Sequence, residues 1–345
     1  SSKSRDSSMA MVDHPESITI IGGGLAGLAS VTRLLDRGYE GDLLLLEKAP
    51  FLGGRTSTVN YKDHRLDLGQ HMHVSGFEVY LEFLNKIGLK DKIRTQSKLE
   101  AEFRDSSGKM GEVKESNIPP PFHLASSLIN FPFISIGDKI SLAGPLMSAL
   151  LFNYTEYDER TSFGKWLRQR GATKGSIKNL WNQIIIPTLN APVDEVNLQM
   201  GMMILKRVLM DKGGGKLGSL IGNLAQIGEK ALDFIESRGG IVRLSRPVTS
   251  VDPNGTRASR IILGGKEIIE SEIILSAVPG YELEKMLSPD TKKEFSCPFW
   301  NMEWNSILNL HFFFSESVMT EDFFGFLEGT AGWVFNVDLN GSKSG

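Results

Sequence analysis

The chain has 345 residues, 41% hydrophobic and 9% aromatic, a composition ordinary for a globular protein and a length too great for one small core, so two domains are expected. Thirty-eight basic residues against 41 acidic ones leave a net charge of −3 with the cations scattered, which excludes nucleic acid as an expected partner, since phosphate binding needs concentrated Lys and Arg. The single cysteine, Cys297, excludes an intrachain disulfide and suits a reducing, cytoplasmic compartment.

Residues 1–16 open the polar stretch "SSKSRDSSMAMVDHPES", which lacks a sustained apolar run and reads as a tag scar or a disordered arm. From Ile18 the pattern sharpens. "ITII" is a short β-branched run, Gly22-Gly23-Gly24 a turn, and "LAGLASVTRLLDRG" carries apolar residues at helical spacing until Gly38 stops it. "DLLLLE" is a second strand ending at Glu47, which completes a βαβ unit. "KAPFLGGRTS" then supplies a second glycine turn, and "TVNYKDHRLDLG" has the look of a hairpin leading into "DLGQHMH".

Phe77 to about Lys92 reads as helix, and Leu99 to Glu115 as a hairpin turning at "DSSGK". Residues 122–210 are mainly helical in pattern, broken at Pro132, Pro145, Pro187 and Pro192, and form the natural helical cap over a substrate. "KGGGKLG" reads as a flexible joint, and "LIGNLAQIGEKALDFIESRGG" as an amphipathic helix closed by glycines. "IVRLSRPVTSVD" and "RIILGGKEIIESEIILSAVP" read as strands with turns at Asn254-Gly255 and Gly264-Gly265. "SILNLHFFFS" and "GWVFNVDLN" return to strand. No run reaches the roughly eighteen apolar residues of a membrane span. The nearest candidate, Phe131 to Phe152, is interrupted by Asp138 and Lys139, and it could lie on a bilayer surface.

The chemistry begins at Gly22-x-Gly24-x-x-Gly27, which follows a strand, opens a helix and is answered about twenty residues later by an acid ending the next strand. The glycines permit a tight turn, close approach of the backbone to a pyrophosphate, and helix–sheet packing. The helix N-terminus, at Leu25 and Ala26, offers amides and a positive dipole end to phosphates. Glu47 would bind the adenosine ribose hydroxyls, which disfavours a 2′-phosphate. An NAD domain has no need of Gly53-Gly54-Arg55 six residues beyond that acid, whereas an extended FAD fingerprint does.

From Ile18 through "FLGGRTS" the chain resembles the FAD-dependent amine oxidase and carotenoid desaturase superfamily, and "GGIVRLSRPVTSVD" with "SEIILSAVP" resembles its second contribution to the FAD domain. The resemblance implies an α/β fold: a Rossmann-like FAD-binding domain of the glutathione-reductase type with a second, largely helical substrate domain. It divides the chain into 17–75 and 212–285 for FAD and 76–211 and 286–345 for substrate, with the usual C-terminal FAD segment missing after "NGSKSG". It implies FAD contacts from Gly22, Gly24, Leu25, Ala26, Gly27, Glu47, Lys48, Gly53, Gly54 and Arg55, from Val248 at the adenine, and from Gly69, Gln70 and His71 beneath the flavin.

"LGQH" at Leu68–His71, the surroundings of Trp166 and Trp181, and "LNAP" at Leu189–Pro192 are similar to the squalene-associated branch, hydroxysqualene dehydroxylase, with phytoene and zeta-carotene desaturases as relatives. That branch implies a lipophilic isoprenoid substrate, hydroxysqualene reduced to squalene by hydride from the flavin. His71 would be the catalytic acid and Asn190 an orienting group. A carotenoid desaturase or an amine oxidase is the alternative, and a non-enzymatic isoprenoid escort a third. A metal reading of His71 and His73 needs further ligands, for which only Asp67 and His64 are near, so no metal is expected and His73 is read as structural or pocket-lining. A membrane-soluble substrate also implies peripheral membrane contact, with Phe131, Phe133 and Ile134 as the expected docking residues.

Overall fold

A computed structural model describes residues 15–69, 71–120, 122–153, 160–211, 213–254, 257–294, 302–327 and 332–337. The arm before residue 15, Gln70, Gly255, Cys297 and the end of the chain from Asp338 lie outside the described residues. The chain divides into two compact units, Ser1–Ser57 with Leu224–Met302, and Thr58–Asn223 with Glu303–Gly345.

The first unit opens with β1 (Ser17–Ile21), α1 (Leu25–Asp36) and β2 (Asp42–Leu46). The chain then enters the second unit through β3 (Thr58–Tyr61), β4 (His64–Asp67), β5 (His73–Val74), α2 (Glu78–Lys86), β6 (Ile93–Thr95), β7 (Glu100–Arg104) and β8 (Met110–Lys114). A helical stretch follows: α3 (Ala125–Asn130), α4 (Ile136–Ser141), α5 (Ala143–Leu150), α6 (Phe163–Gln169), α7 (Lys174–Ser176), α8 (Asn182–Leu189) and α9 (Leu198–Ile204), before β9 (Leu217–Leu220). Back in the first unit lie α10 (Ala225–Glu236), β10 (Ile241–Arg243), β11 (Val248–Asn254), β12 (Arg257–Leu263), β13 (Glu267–Glu270), β14 (Ile273–Ser276), α11 (Gly280–Met286) and α12 (Pro289–Glu294). Finally β15 (Phe323–Phe326) and β16 (Trp333–Phe335) rejoin the second unit.

In the first unit the order β10-β2-β1-β14 is wholly parallel. A parallel sheet is covered on both faces, which is why β1 and β2 read as nearly continuous apolar runs. Helix α1 buries Leu28, Val31 and Leu35, an i, i+3, i+7 stripe. Strands β11, β12 and β13 form a separate antiparallel meander.

The second unit is centred on aromatic packing. Phe163 and Trp166 of α6 are fully buried and stacked, ring centroids 5.9 Å apart, and Trp181 meets Phe163 edge-on at 6.2 Å. Residues 177–181 and 205–210 are π-helical, so α7 to α8 runs as one helix interrupted by a wide turn. Its sheets are β5-β9-β6, β16-β15-β7-β8 and the hairpin β3-β4.

Three expectations from the sequence fail. "KGGGKLG" is no loose joint, because Leu217–Leu220 is the middle strand of β5-β9-β6, with His73 opposite Gly218 and Thr95 opposite Gly218 on its other side. "SILNLHFFFS" carries no regular structure among its residues, and Leu308 and Phe312 are 82% and 73% exposed. The hairpin β3-β4 and strand β5, placed by the sequence with the FAD domain, belong to the second unit, since β5 takes its backbone hydrogen bonds from β9.

Gly27 shows how closely α1 lies on the first turn: a Cβ there would stand 1.9 Å from the Gly22 carbonyl oxygen. Backbone atoms cannot swing aside as a side chain can. Gly27→Ala is therefore expected to cost about 1–3 kcal/mol or more of stability in urea unfolding, and an unchanged midpoint would contradict this packing.

Candidate functional site

All four strands of the parallel sheet run the same way, so the carboxyl ends of β1, β2 and β14 come to one edge, where ligands of open α/β sheets bind. The first glycine turn leaves β1 at that edge. Gly22 adopts φ +107°, a region closed to ordinary side chains, and its N–H donates to the Leu46 carbonyl at 2.8 Å. A Cβ on Gly24 would meet nothing within 4 Å, so the backbone there faces open space. Helix α1 begins at once without a side-chain cap or an acid in its first turn. Its first internal bond is Leu28 N–H to the Gly24 carbonyl, which leaves the N–H groups of Leu25, Ala26 and Gly27 without a partner among the described residues. Unpaired amides at the positive end of a helix dipole make a phosphate cradle.

The second glycine turn lies directly against the first. Gly53 N–H donates to the Gly23 carbonyl at 2.8 Å, and Gly53 also adopts φ +107°. A Cβ on Gly54 would stand 3.1 Å from Gly24 Cα. Residues some thirty positions apart in sequence thus form one two-turn wall of backbone.

Glu47, buried, joins the parts: Oε2 accepts from Gly23 N–H at 2.6 Å and Oε1 from Ala49 N–H at 2.8 Å. A carboxylate has about four acceptor sites, so two remain for ribose hydroxyls. Sequence reasoning assigned Glu47 to the ribose and missed its grip on Gly23. The signal was available in the second glycine of "GGGLAG", since a Cβ on Gly23 would strike Leu52 at 2.5 Å and Glu47 at 3.1 Å.

The remaining expected residues fall as follows. Val248, buried at the start of β11, packs with Ile21 and Leu46 at the carboxyl edge of the sheet. Lys48 is exposed and lies 3.6 Å from Glu282. Arg55 is exposed and has no partner among the described residues, as befits a cation awaiting an anionic ligand. Gly69, His71 and Asn190 belong to the second unit. Gln70 lies outside the described residues.

Within the second unit, Gly69 (φ +90°) abuts Asn309, since a Cβ on Gly69 would stand 3.1 Å from the Asn309 side-chain nitrogen. The Asn190 carbonyl accepts from Asn305 Nδ2 at 2.8 Å. Both partners come from the irregular segment 303–314, whose Phe313 ring lies 4.5 Å from that of His64. The sequence reading missed Asn305 and Asn309, although two amides in an otherwise apolar run were visible. Asn190 closes α8 in the left-handed conformation, φ 55° and ψ 28°. His71 Nε2 is 3.3 Å from the Leu68 carbonyl. Only a protonated Nε2 can make that contact, which leaves Nδ1 the acceptor in the neutral ring.

His73 is buried between Thr95, whose hydroxyl is 3.0 Å from Nε2, and the Tyr80 ring. Asp67 accepts from Thr58. Among the described residues no group of three His, Cys, Asp or Glu could hold a metal ion.

The cradle predicts that Glu47→Gln turns an amide NH2 toward one of two backbone donors, Gly23 or Ala49. Losing hydrogen bonds to a charged group costs about 1.5–3 kcal/mol, so flavin retention measured by absorbance per chain after gel filtration is expected to fall at least about tenfold. Full retention would contradict the assignment. Burial, unrelieved by a partner charge, pushes the His73 imidazole below its ordinary pKa of 6.5, and burial does the same to His123 against the pull of Glu115. The unfolded chain therefore takes up protons near pH 6.5 that the folded one refuses. Stability is whole above that pH and is lost as pH falls below it. His73→Gln is expected to flatten the decline of the urea midpoint between about pH 7.5 and pH 5.5, by up to about 1.4 kcal/mol per pH unit, and an unchanged slope would exclude His73 as its source.

A profile of flavin-containing amine oxidoreductases matches residues 25–342. A probable zeta-carotene desaturase of Synechococcus elongatus is 24% identical over 301 residues, covering 81% of this chain and 61% of that protein. A hydroxysqualene dehydroxylase of Zymomonas mobilis is 24% identical over 333 residues, covering 92% of this chain and 73% of that protein. Among solved structures, an oxidoreductase from Methanosarcina mazei shares the fold with a TM-score of 0.60 at 18% identity, over 78% of this chain and 60% of its own. The chain thus spans about three-fifths of the length of the zeta-carotene desaturase and of the Methanosarcina protein. The cofactor is FAD, and the chain belongs to the flavin-containing amine oxidoreductase family.

Proposed function

We propose that the protein is an FAD-dependent oxidoreductase acting on a long isoprenoid, and that its reaction is the reductive dehydroxylation of hydroxysqualene to squalene. The observation that carries this choice is coverage: similarity to the dehydroxylase extends over 92% of this chain and 73% of the relative, against 81% and 61% for the desaturase. Desaturation of a carotenoid is the second reading, supported by the similarity to zeta-carotene desaturase.

FAD, when bound, supplies the two-electron exchange with a substrate carbon. The chain's own residues hold the cofactor and manage the proton. Gly22–Gly27 and Gly53–Gly54 would hold the pyrophosphate with backbone amides, Glu47 the ribose and Val248 the adenine, with Arg55 and Lys48 as cations for the phosphates. The family resemblance would assign Gly69 and Gln70 to the flavin as well. His71 donates a proton to the departing hydroxyl, for which it must be in its imidazolium form, because the neutral ring's one N–H faces the Leu68 carbonyl. Asn190 orients that hydroxyl. The proposed location is the cytoplasm, at the cytoplasmic face of a membrane that stores such a substrate.

Chemically reduced protein given hydroxysqualene, and oxidised protein given phytoene, are expected to yield squalene in the first case and no product in the second, by chromatography of extracted lipids. Product only from phytoene would replace the first reading by the second. A general acid contributes about 100- to 10,000-fold, so His71→Asn should lower turnover by at least the smaller factor with flavin content intact.

A further inference from the structure

Phe131 and Ile134, expected from the sequence to touch a membrane, are 0% and 5% exposed and belong to the core of the second unit. The exposed apolar surface of this region lies one helix further on. Leu142, between α4 and α5, keeps helical dihedrals (φ −72°, ψ −26°), and Leu146 N–H bonds back to its carbonyl, so residues 136–150 run as a single helix. Leu142, Pro145 and Ala149 face inward. On the opposite side Ile136, Ile140, Ala143, Met147 and Leu150 follow the spacing i, i+4, i+7, i+11, i+14, which at 3.6 residues per turn confines them to an arc of about 80°. Ile136, Ile140 and the adjoining Leu151 are 77%, 71% and 89% exposed.

Among the described residues, the charges near this stripe that lack a carboxylate partner are lysines. Lys139 lies on its border and donates to the Ile129 carbonyl. Lys109 donates to the Pro132 carbonyl just before α4. Lys174 and Lys178, exposed on the helix packed against α4, have no carboxylate partner among the described residues. The acids nearby are already taken. Asp138 accepts from Ser135 and Thr173, and Glu112, on β8 behind α3, is salt-bridged to Lys114.

We propose that the exposed face of α4–α5 docks on a lipid bilayer with anionic headgroups, its isoleucines entering the interface and the four lysines meeting the phosphates. No helix among the described residues is long and apolar enough to cross a membrane, and this one lies along it. Each lysine near an anionic surface adds attraction to it, and each isoleucine that leaves water for the interface adds apolar burial. A second copy of the chain fits the stripe less well, because a two-fold interface would bring the lysines described here toward one another. The proposal deepens the reading of a lipid-soluble substrate, but it is scored without substrate or turnover, so either can fail alone.

The test is flotation of the purified protein with vesicles of phosphatidylcholine alone or with added phosphatidylglycerol. The wild-type chain is expected to float with the anionic vesicles, less so as salt is raised. I140D/M147D should lower the bound fraction at least about tenfold, whereas V79D, at an equally exposed apolar position on α2, should not. K174E/K178E leaves the apolar stripe intact and should weaken binding to anionic vesicles selectively, which keeps the test valid should I140D/M147D fail to unfold cooperatively in urea. Wild-type protein that stays with neither vesicle would overturn the proposal. So would I140D/M147D or K174E/K178E that folds and floats like wild type, or a dimer in sedimentation that I140D/M147D abolishes while vesicle binding persists.

Discussion

The first unit depends on a carboxylate held between two backbone amides. Glu47 stands at the end of β2 and receives Gly23 N–H from the end of β1 and Ala49 N–H from its own loop. The Gly23 carbonyl then receives Gly53 N–H. Gly23 and the stretch Glu47–Gly53, some two dozen residues further on, are thereby tied together at the carboxyl edge of a parallel sheet. The consequence is a wall of amides and Cα atoms with no side chain in front of Gly24. A pyrophosphate can approach such a wall closely enough for hydrogen bonds, and a wall bearing side chains would hold it away.

The second unit solves a different problem, the enclosure of an apolar interior by helices with polar ends. Stacked Phe163 and Trp166, with Trp181 edge-on, form its centre, and Arg170 lies over the Trp166 ring at 4.4 Å. The π-helical turns at 177–181 and 205–210 shift the register of their helices, and one of them carries Trp181. Asn190 ends the first of these helices in a left-handed turn that costs a non-glycine residue about 1–2 kcal/mol, and its carbonyl is held by Asn305. The segment 303–314 thus touches Asn190, Gly69 and His64 within this unit.

The stretch "DLGQHMH" illustrates the limits of reading residues in order. Its carboxylate and two imidazoles suggest a cluster, yet each goes elsewhere: Asp67 to Thr58, His71 to the Leu68 carbonyl, and His73 to Thr95 across a sheet that includes β9. Strand β9 was not visible because "KGGGKLG" is rich in glycine, the composition of a linker. Gly218 is needed there for another reason: a Cβ would meet His73 Nε2 at 2.2 Å. Glycine that serves close packing and glycine that serves flexibility look alike in a sequence.

The sequence by itself determined the βαβ unit, both glycine turns and Glu47, because these obey local rules: strand alternation, helix period, and backbone angles that only glycine tolerates. It also determined the helical character of residues 122–210. Only the tertiary structure decided that the two turns share a hydrogen bond, that His73 is buried, and that "SILNLHFFFS" does not pair as a strand. It alone reversed the two faces of the apolar region, burying Phe131 and Ile134 and exposing Ile136 and Ile140. The physical reason is that hydrophobicity marks a residue as able to be buried, while burial depends on which partners the rest of the chain brings to it.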